Sequence, residues 1–119
     1  MKRIFIWSMN GPENAEKAIL PFIIANAAFV HEDVEVYICL VSNGVWLAKK
    51  GVAEHVKCCK WALKELMDKF LEQGGKLLVC SPCLDERDIK EEELIEQATV
   101  TGAVTTLELA AEADVDVAF

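Results

Sequence analysis

Short strand-type runs alternate with helix-type patterns along nearly the whole chain, and this alternation restricts the fold more than any other feature. Segment 3–8, RIFIWS, is β-branched and aromatic and ends at Asn10-Gly11, a turn followed by Pro12, which suits the first turn of a helix. From Glu13 to Val30, residues Ala15, Ala18, Ile19, Phe22, Ile23 and Asn26 recur at three-to-four spacing, as one buried helical face requires. Pro21 predicts a bend or break in that helix. Segment 33–42, DVEVYICLVS, alternates and then turns continuously apolar, the pattern of a strand covered on both faces, and Ser42-Asn43-Gly44 ends it.

Residues 45–57 predict a loop with little regular structure, in which Val45 to Lys50 could form a short helix stopped by Gly51. Residues 58–75 predict a helix with Trp61, Leu63, Leu66, Met67, Phe70 and Leu71 as its apolar stripe and Gly74-Gly75 as its stop. KLLVCS, 76–81, is a third buried strand; an acidic short helix over 90–98, a brief strand over 99–102, a helix over 103–113 and a terminal strand over 114–119 follow. Such an order predicts an α/β protein built on an open, mainly parallel sheet with helices on both faces.

The 119 residues suit one domain, 1–119, since 53% are apolar, 27% are charged and no Pro/Gly/Ser-rich linker or repeat divides them. A net charge of −8 repels phosphate backbones and anionic lipid, which argues against nucleic acid or a membrane as partner. The start MKRIFIWSMNGPENAEK lacks a complete signal-peptide core, and the longest apolar run, AILPFIIANAAFV, has 13 residues, too few to span a bilayer. A cytoplasmic location with reduced thiols is the expectation, because the five cysteines are odd in number and lie within strand and helix patterns.

Parallel α/β sheets place functional groups beyond the carboxyl ends of their strands. There the sequence puts Cys80 and Cys83 after the third strand, Asn10 and Gly11 after the first, and Asn43 and Gly44 after the second, with Lys49 and Lys50 in the neighbouring loop. These eight residues are the candidate site, the thiols as reacting groups and the rest as the lining of one pocket. A thiol that accepts sulfur must attack as thiolate, and turn amides, a helix start or the two lysines could stabilise that anion. The plainer alternative is that Cys80 is a small side chain packed in a strand.

Other readings of the cysteines are weaker. In a thioredoxin-like enzyme Cys-x-x-Cys opens a long helix, whereas SPCLDERDIKEEE is acidic and broken by turn residues. Cys83 could instead resolve an oxidised Cys80 by forming a disulfide. Cys58-Cys59 and Cys80-x-x-Cys83 approach zinc-ribbon spacing, but adjacent cysteines point apart, so no metal is expected. Cys39 reads as core, His31 and His55 as surface residues, and Trp46 as an oligomer contact in an apolar cluster with Val45, Leu47 and Val52. MNGPEN holds no Gly-x-Gly-x-x-Gly, and no cofactor is expected.

Four stretches in order, GPENAEKAILPFIIANAA, NGVWLAKKGVAE, LLVCSPCLDERDI and ATVTGAVTTLELAAEADVDVAF, make the chain resemble the DsrE/DsrF-like superfamily over essentially its whole length. The resemblance implies a flavodoxin-like five-stranded sheet and a homotrimer or homohexamer. For the better-understood relatives it further implies a cysteine that takes up sulfane sulfur as a persulfide and passes it between donor and acceptor proteins. Cys80 occupies that cysteine's place, and Arg87-Asp88 stands where the family often has Arg-Gly. Two functions therefore stand against each other: a sulfur carrier working through Cys80, or a non-enzymatic oligomeric module that binds a small ligand at the strand ends.

Overall fold

Five strand-type runs form one sheet, in a computed structural model that describes all 119 residues, Met1 to Phe119. In chain order the elements are β1 (Lys2–Ser8), α1 (Ala15–Ala28), β2 (Val34–Leu40), a two-residue-stranded hairpin β3 (Lys57–Cys58) and β4 (Trp61–Ala62), α2 (Leu63–Glu72), β5 (Lys76–Cys80), α3 (Ser81–Glu86), β6 (Ala98–Thr101), α4 (Ala103–Ala111) and β7 (Val115–Ala118). The sheet order is β6-β5-β2-β1-β7, and every neighbouring pair is parallel. β1 and β2 pair along their full length, from Lys2 opposite Val34 to Ser8 opposite Leu40, so both strands end level.

The two faces are covered unequally. On one, α1 and α2 press Ala18, Ile19, Phe22, Ala25, Leu63, Met67 and Phe70 onto Ile6, Val36, Ile38, Leu40, Leu77 and Val79, and Leu84 of α3 joins them. Phe22 and Phe70 meet edge to face with centroids 5.8 Å apart, and a Cβ on Gly75 would overlap the Phe70 ring. On the other face only α4 covers a small cluster of Phe5, Tyr37, Cys39, Leu78 and Ala110. Arg3 extends that cover, with its guanidinium 5.3 Å from the Tyr37 ring and 2.6 Å from Glu35.

The structure differs from the sequence reading at several points. Helix α1 runs unbroken through Pro21, which is buried, so packing of the ring offsets one lost backbone hydrogen bond. Residues 42–48 and 53–55 form 3-10 turns rather than an irregular loop, and Val45, Leu47 and Ala53 are buried within the chain's own core. Of the expected apolar cluster, Val45 and Leu47 are thus covered by the chain itself, while Trp46 and Val52 are half-buried against the same core. Helix α2 begins at Leu63 rather than at residue 58, because the chain reverses at Cys59, whose φ of 60° is left-handed, and Cys58 pairs with Trp61. The expected acidic helix over 90–98 contracts to one 3-10 turn, Glu91–Glu93, where three adjacent carboxylates repel and Glu93 accepts a hydrogen bond from the Lys90 amide at 2.9 Å. No helix is long and apolar enough to cross a membrane.

Candidate functional site

The loops after β1, β2 and β5 pack on one another at the carboxyl edge of the sheet. A Cβ on Gly11 would overlap the carbonyl oxygen of Asn43, and one on Gly44 would overlap that of Ser8, so each loop admits its neighbour only through a bare glycine. The Ser42 amide, on a residue with φ of 53°, donates to Cys83 Sγ at 3.2 Å. Arg87, at the end of α3, donates from Nε to Asn43 Oδ1 at 3.0 Å and from Nη1 to the Cys83 carbonyl at 3.2 Å. The β2 loop is thereby tied to α3 at two points.

Cys80 is the last residue of β5 and the N-cap of α3, half-buried, opposite Thr101 of β6. Its thiol is near enough to that of Cys83 for each to act on the other's ionisation, and buried Cys39 on β2 lies within electrostatic range of both. Burial pushes the Cys80 thiol up from its ordinary value, and the hydrogen bond to Cys83 adds to this; the Cys83 amide and the Arg87 charge act in the opposite direction without reversing it. Cys80 is therefore mostly protonated at neutral pH. Replacing Arg87 by glutamine is expected to slow iodoacetamide alkylation of Cys80 at pH 8 and to destabilise the chain by about 1.5 kcal/mol through the lost charged hydrogen bonds. Unchanged alkylation would show that the guanidinium does not act on the thiol.

Cys39 is fully buried, as the sequence implies for a core residue, yet it lies within electrostatic range of both site thiols, which neither spacing nor hydropathy signals. Burial, then the proximity of Cys80 and Cys83, push it to about 12 from 9.0. In the unfolded chain the thiol loses its proton first, so its contribution to stability is complete below pH 9 and is lost as pH rises towards 12. Urea unfolding should show wild type losing about 1.4 kcal/mol more than Cys39→Ala for each pH unit in that window. Equal losses in the two proteins would contradict it.

The strand-end loops pack directly on one another and enclose no cavity, contrary to the expected pocket, and the other expected site residues divide into two groups. Asn43 and Gly44 stand beside Cys83 and Arg87, with Gly11 behind them and Asn10 half-buried one residue earlier. Lys49 and Lys50 do not turn towards the thiols: Lys49 Nζ lies 3.5 Å from Glu93 and 5.6 Å from the Trp46 ring, and Lys50 Nζ donates to the Glu92 carbonyl at 3.2 Å. The cation that reaches the site is Arg87. Its position one helical turn beyond Cys83 was the available signal. His31 and His55 are exposed. No group of three or more His, Cys, Asp or Glu side chains is placed to hold a metal ion, and Cys58-Cys59 does not join Cys80 and Cys83. Asp88 has a φ of 54°, a backbone that glycine adopts without a Cβ penalty.

The model of the DsrE/DsrF-like family matches residues 2–119. One uncharacterised protein of Methanocaldococcus jannaschii is 34% identical over 105 residues, a match covering 87% of this chain but only 38% of that longer protein. A second from the same organism is 34% identical over 108 residues, covering 91% of each chain. Among solved structures, the ychN protein of E. coli is similar with a TM-score of 0.85 at 20% identity, covering 100% of both chains. A protein of unknown function from Methanobacterium thermoautotrophicum is similar with a TM-score of 0.71 at 15% identity, covering 99% of this chain and 98% of its own. At those identities the two structures establish the fold alone.

Proposed function

The chain belongs to the DsrE/DsrF-like family, and we propose that it is a sulfur carrier that holds sulfane sulfur as a persulfide on Cys80. The observation that carries this reading is the position of the Cys80 thiol, at a strand's carboxyl end and against the amides that open α3, with Cys83 and Arg87 beside it. In the transfer step, Cys80 thiolate attacks the terminal sulfur of a donor persulfide R–S–SH. The new Cys80 S–S bond forms as the donor's S–S bond breaks, and the donor leaves as thiolate R–S⁻, which takes up a proton. Delivery reverses the roles: an acceptor thiolate takes the outer sulfur and Cys80 departs.

Because burial favours the protonated thiol, uptake rises with pH beyond the ordinary thiol range, and a donor that lowers the local cost of the anion accelerates it. Cys83 serves as the resolving thiol: its attack on the Cys80 persulfide would form the Cys80–Cys83 disulfide and release hydrosulfide. The test is the mass of the reduced chain after exposure to a polysulfide donor, with one sulfur gained at Cys80 as the expected result.

The same raised thiol favours a second reading, a non-enzymatic module in which the strand-end loops hold a small ligand and Cys80 does no chemistry. A Cys80 that takes up no sulfur would favour it. Either form is proposed to be a homotrimer or homohexamer; Val104 and Leu107, 70% and 62% exposed on the single helix of the thinly covered face, are among the apolar residues available to such an interface.

A further inference from the structure

We propose that Cys58 and Cys59 form a second thiol site, a vicinal pair that exchanges with low-molecular-weight disulfides and closes to a disulfide between adjacent residues. Their Sγ atoms are 3.3 Å apart and share a hydrogen bond. The usual divergence of neighbouring side chains is removed by the β3–β4 turn, in which Cys59 is left-handed with φ of 60° while Cys58 stays in strand pairing with Trp61. Exposure is graded: Cys59 is exposed, and Cys58 is half-buried against the α1–α2 core. The pair is remote in sequence from Cys80 and Cys83, and no third ligand stands near enough to make it a metal site.

The chemistry follows from that gradation. Cys59, as thiolate, attacks a small disulfide R–S–S–R, forming Cys59–S–S–R and releasing one thiolate. Cys58 then attacks Cys59 Sγ, forming the Cys58–Cys59 bond and releasing the second. The two protein protons pass to the leaving groups, so two protein thiols are oxidised and one disulfide is reduced to two molecules of R–SH. A neighbouring thiol already in contact outcompetes external thiols for the second step, because its effective concentration far exceeds theirs. The hydrogen bond to Cys59, partial burial and the nearby Glu16 charge raise the Cys58 thiol, and the greater exposure of Cys59 makes it the first that a disulfide reaches.

Trypsin, cutting after Lys57 and Lys60, isolates the pair in the tripeptide Cys58-Cys59-Lys60. The full chain is treated with 2-hydroxyethyl disulfide, blocked with iodoacetamide, digested and weighed, beside Cys59→Ser. The expected wild-type tripeptide is lighter than the reduced one by two hydrogen masses and carries no iodoacetamide label, whereas Cys59→Ser retains a mixed disulfide at Cys58. A wild-type tripeptide that carries the mercaptoethanol adduct, or that stays reduced and fully labelled, overturns the proposal. A ring spanning two adjacent residues closes no long loop, so the urea midpoint of the oxidised chain should match that of the reduced one.

Discussion

Replacing Gly44 by alanine is expected to destabilise the chain by about 3 kcal/mol, the upper part of the range for forcing extra atoms into a packed interior. The added Cβ meets the Ser8 carbonyl oxygen, and neither atom can turn aside. That oxygen also accepts the Val41 amide at 3.0 Å, so the clash spreads into the last hydrogen bond joining the ends of β1 and β2. A flexible side chain would yield; backbone against backbone does not. The displaced loop carries Ser42 and Asn43, and with them the amide contact to Cys83 and the Arg87 acceptor. A lower urea midpoint should therefore come with faster alkylation of Cys83. An unaltered midpoint would mean that the β2 loop stands off from β1, and that the three loops do not form one packed unit.

The link between loop packing and thiol chemistry is also where sequence and structure part. Strand order could not be read from the chain, but the strand-type runs at 3–8, 33–42 and 76–81 were legible because a central parallel strand must be apolar on both faces. The carboxyl-edge rule then placed Cys80 and Cys83 with Asn43 and Gly44, and the structure brings these together. Lys49 and Lys50 were misread because sequence proximity to the β2 turn says nothing of direction; the 3-10 turn at 42–48 carries them over to Glu92 and Glu93. Cys39 was legible as core but not as a neighbour of Cys80, since that depends on β2 and β5 being adjacent and in register, with Cys39 opposite Leu78. The Cys58–Cys59 approach was hidden for a local reason. It rests on one left-handed residue that is not glycine, and propensity gives no warning of it.

The second large effect concerns Cys80 itself. Its thiol is held between opposing influences, burial and Cys83 against the α3 amide and Arg87, and the protonated form prevails. A carrier needs this thiol to react with sulfane sulfur despite that bias, and needs the other four cysteines not to substitute for it. Cys39 is sealed in the core and held near 12, so it does not compete. Cys58 and Cys59 are accessible and must be separated from Cys80 by mutation rather than by exposure. Loss of Cys80 should abolish persulfide formation at the strand end altogether. Loss of Cys83 should instead preserve it and prolong its lifetime, because the resolving attack is gone.

The decisive measurement is intact-mass spectrometry with peptide mapping of the reduced chain after incubation with a polysulfide donor, made on wild type, Cys80→Ser and Cys83→Ser at pH 8. The carrier account predicts one added sulfur on the peptide containing Cys80 in wild type, none there in Cys80→Ser, and a longer-lived adduct in Cys83→Ser. A strand-end peptide that gains no sulfur in wild type and in Cys83→Ser alike would contradict the account and leave the loops at the sheet edge as a ligand-binding surface.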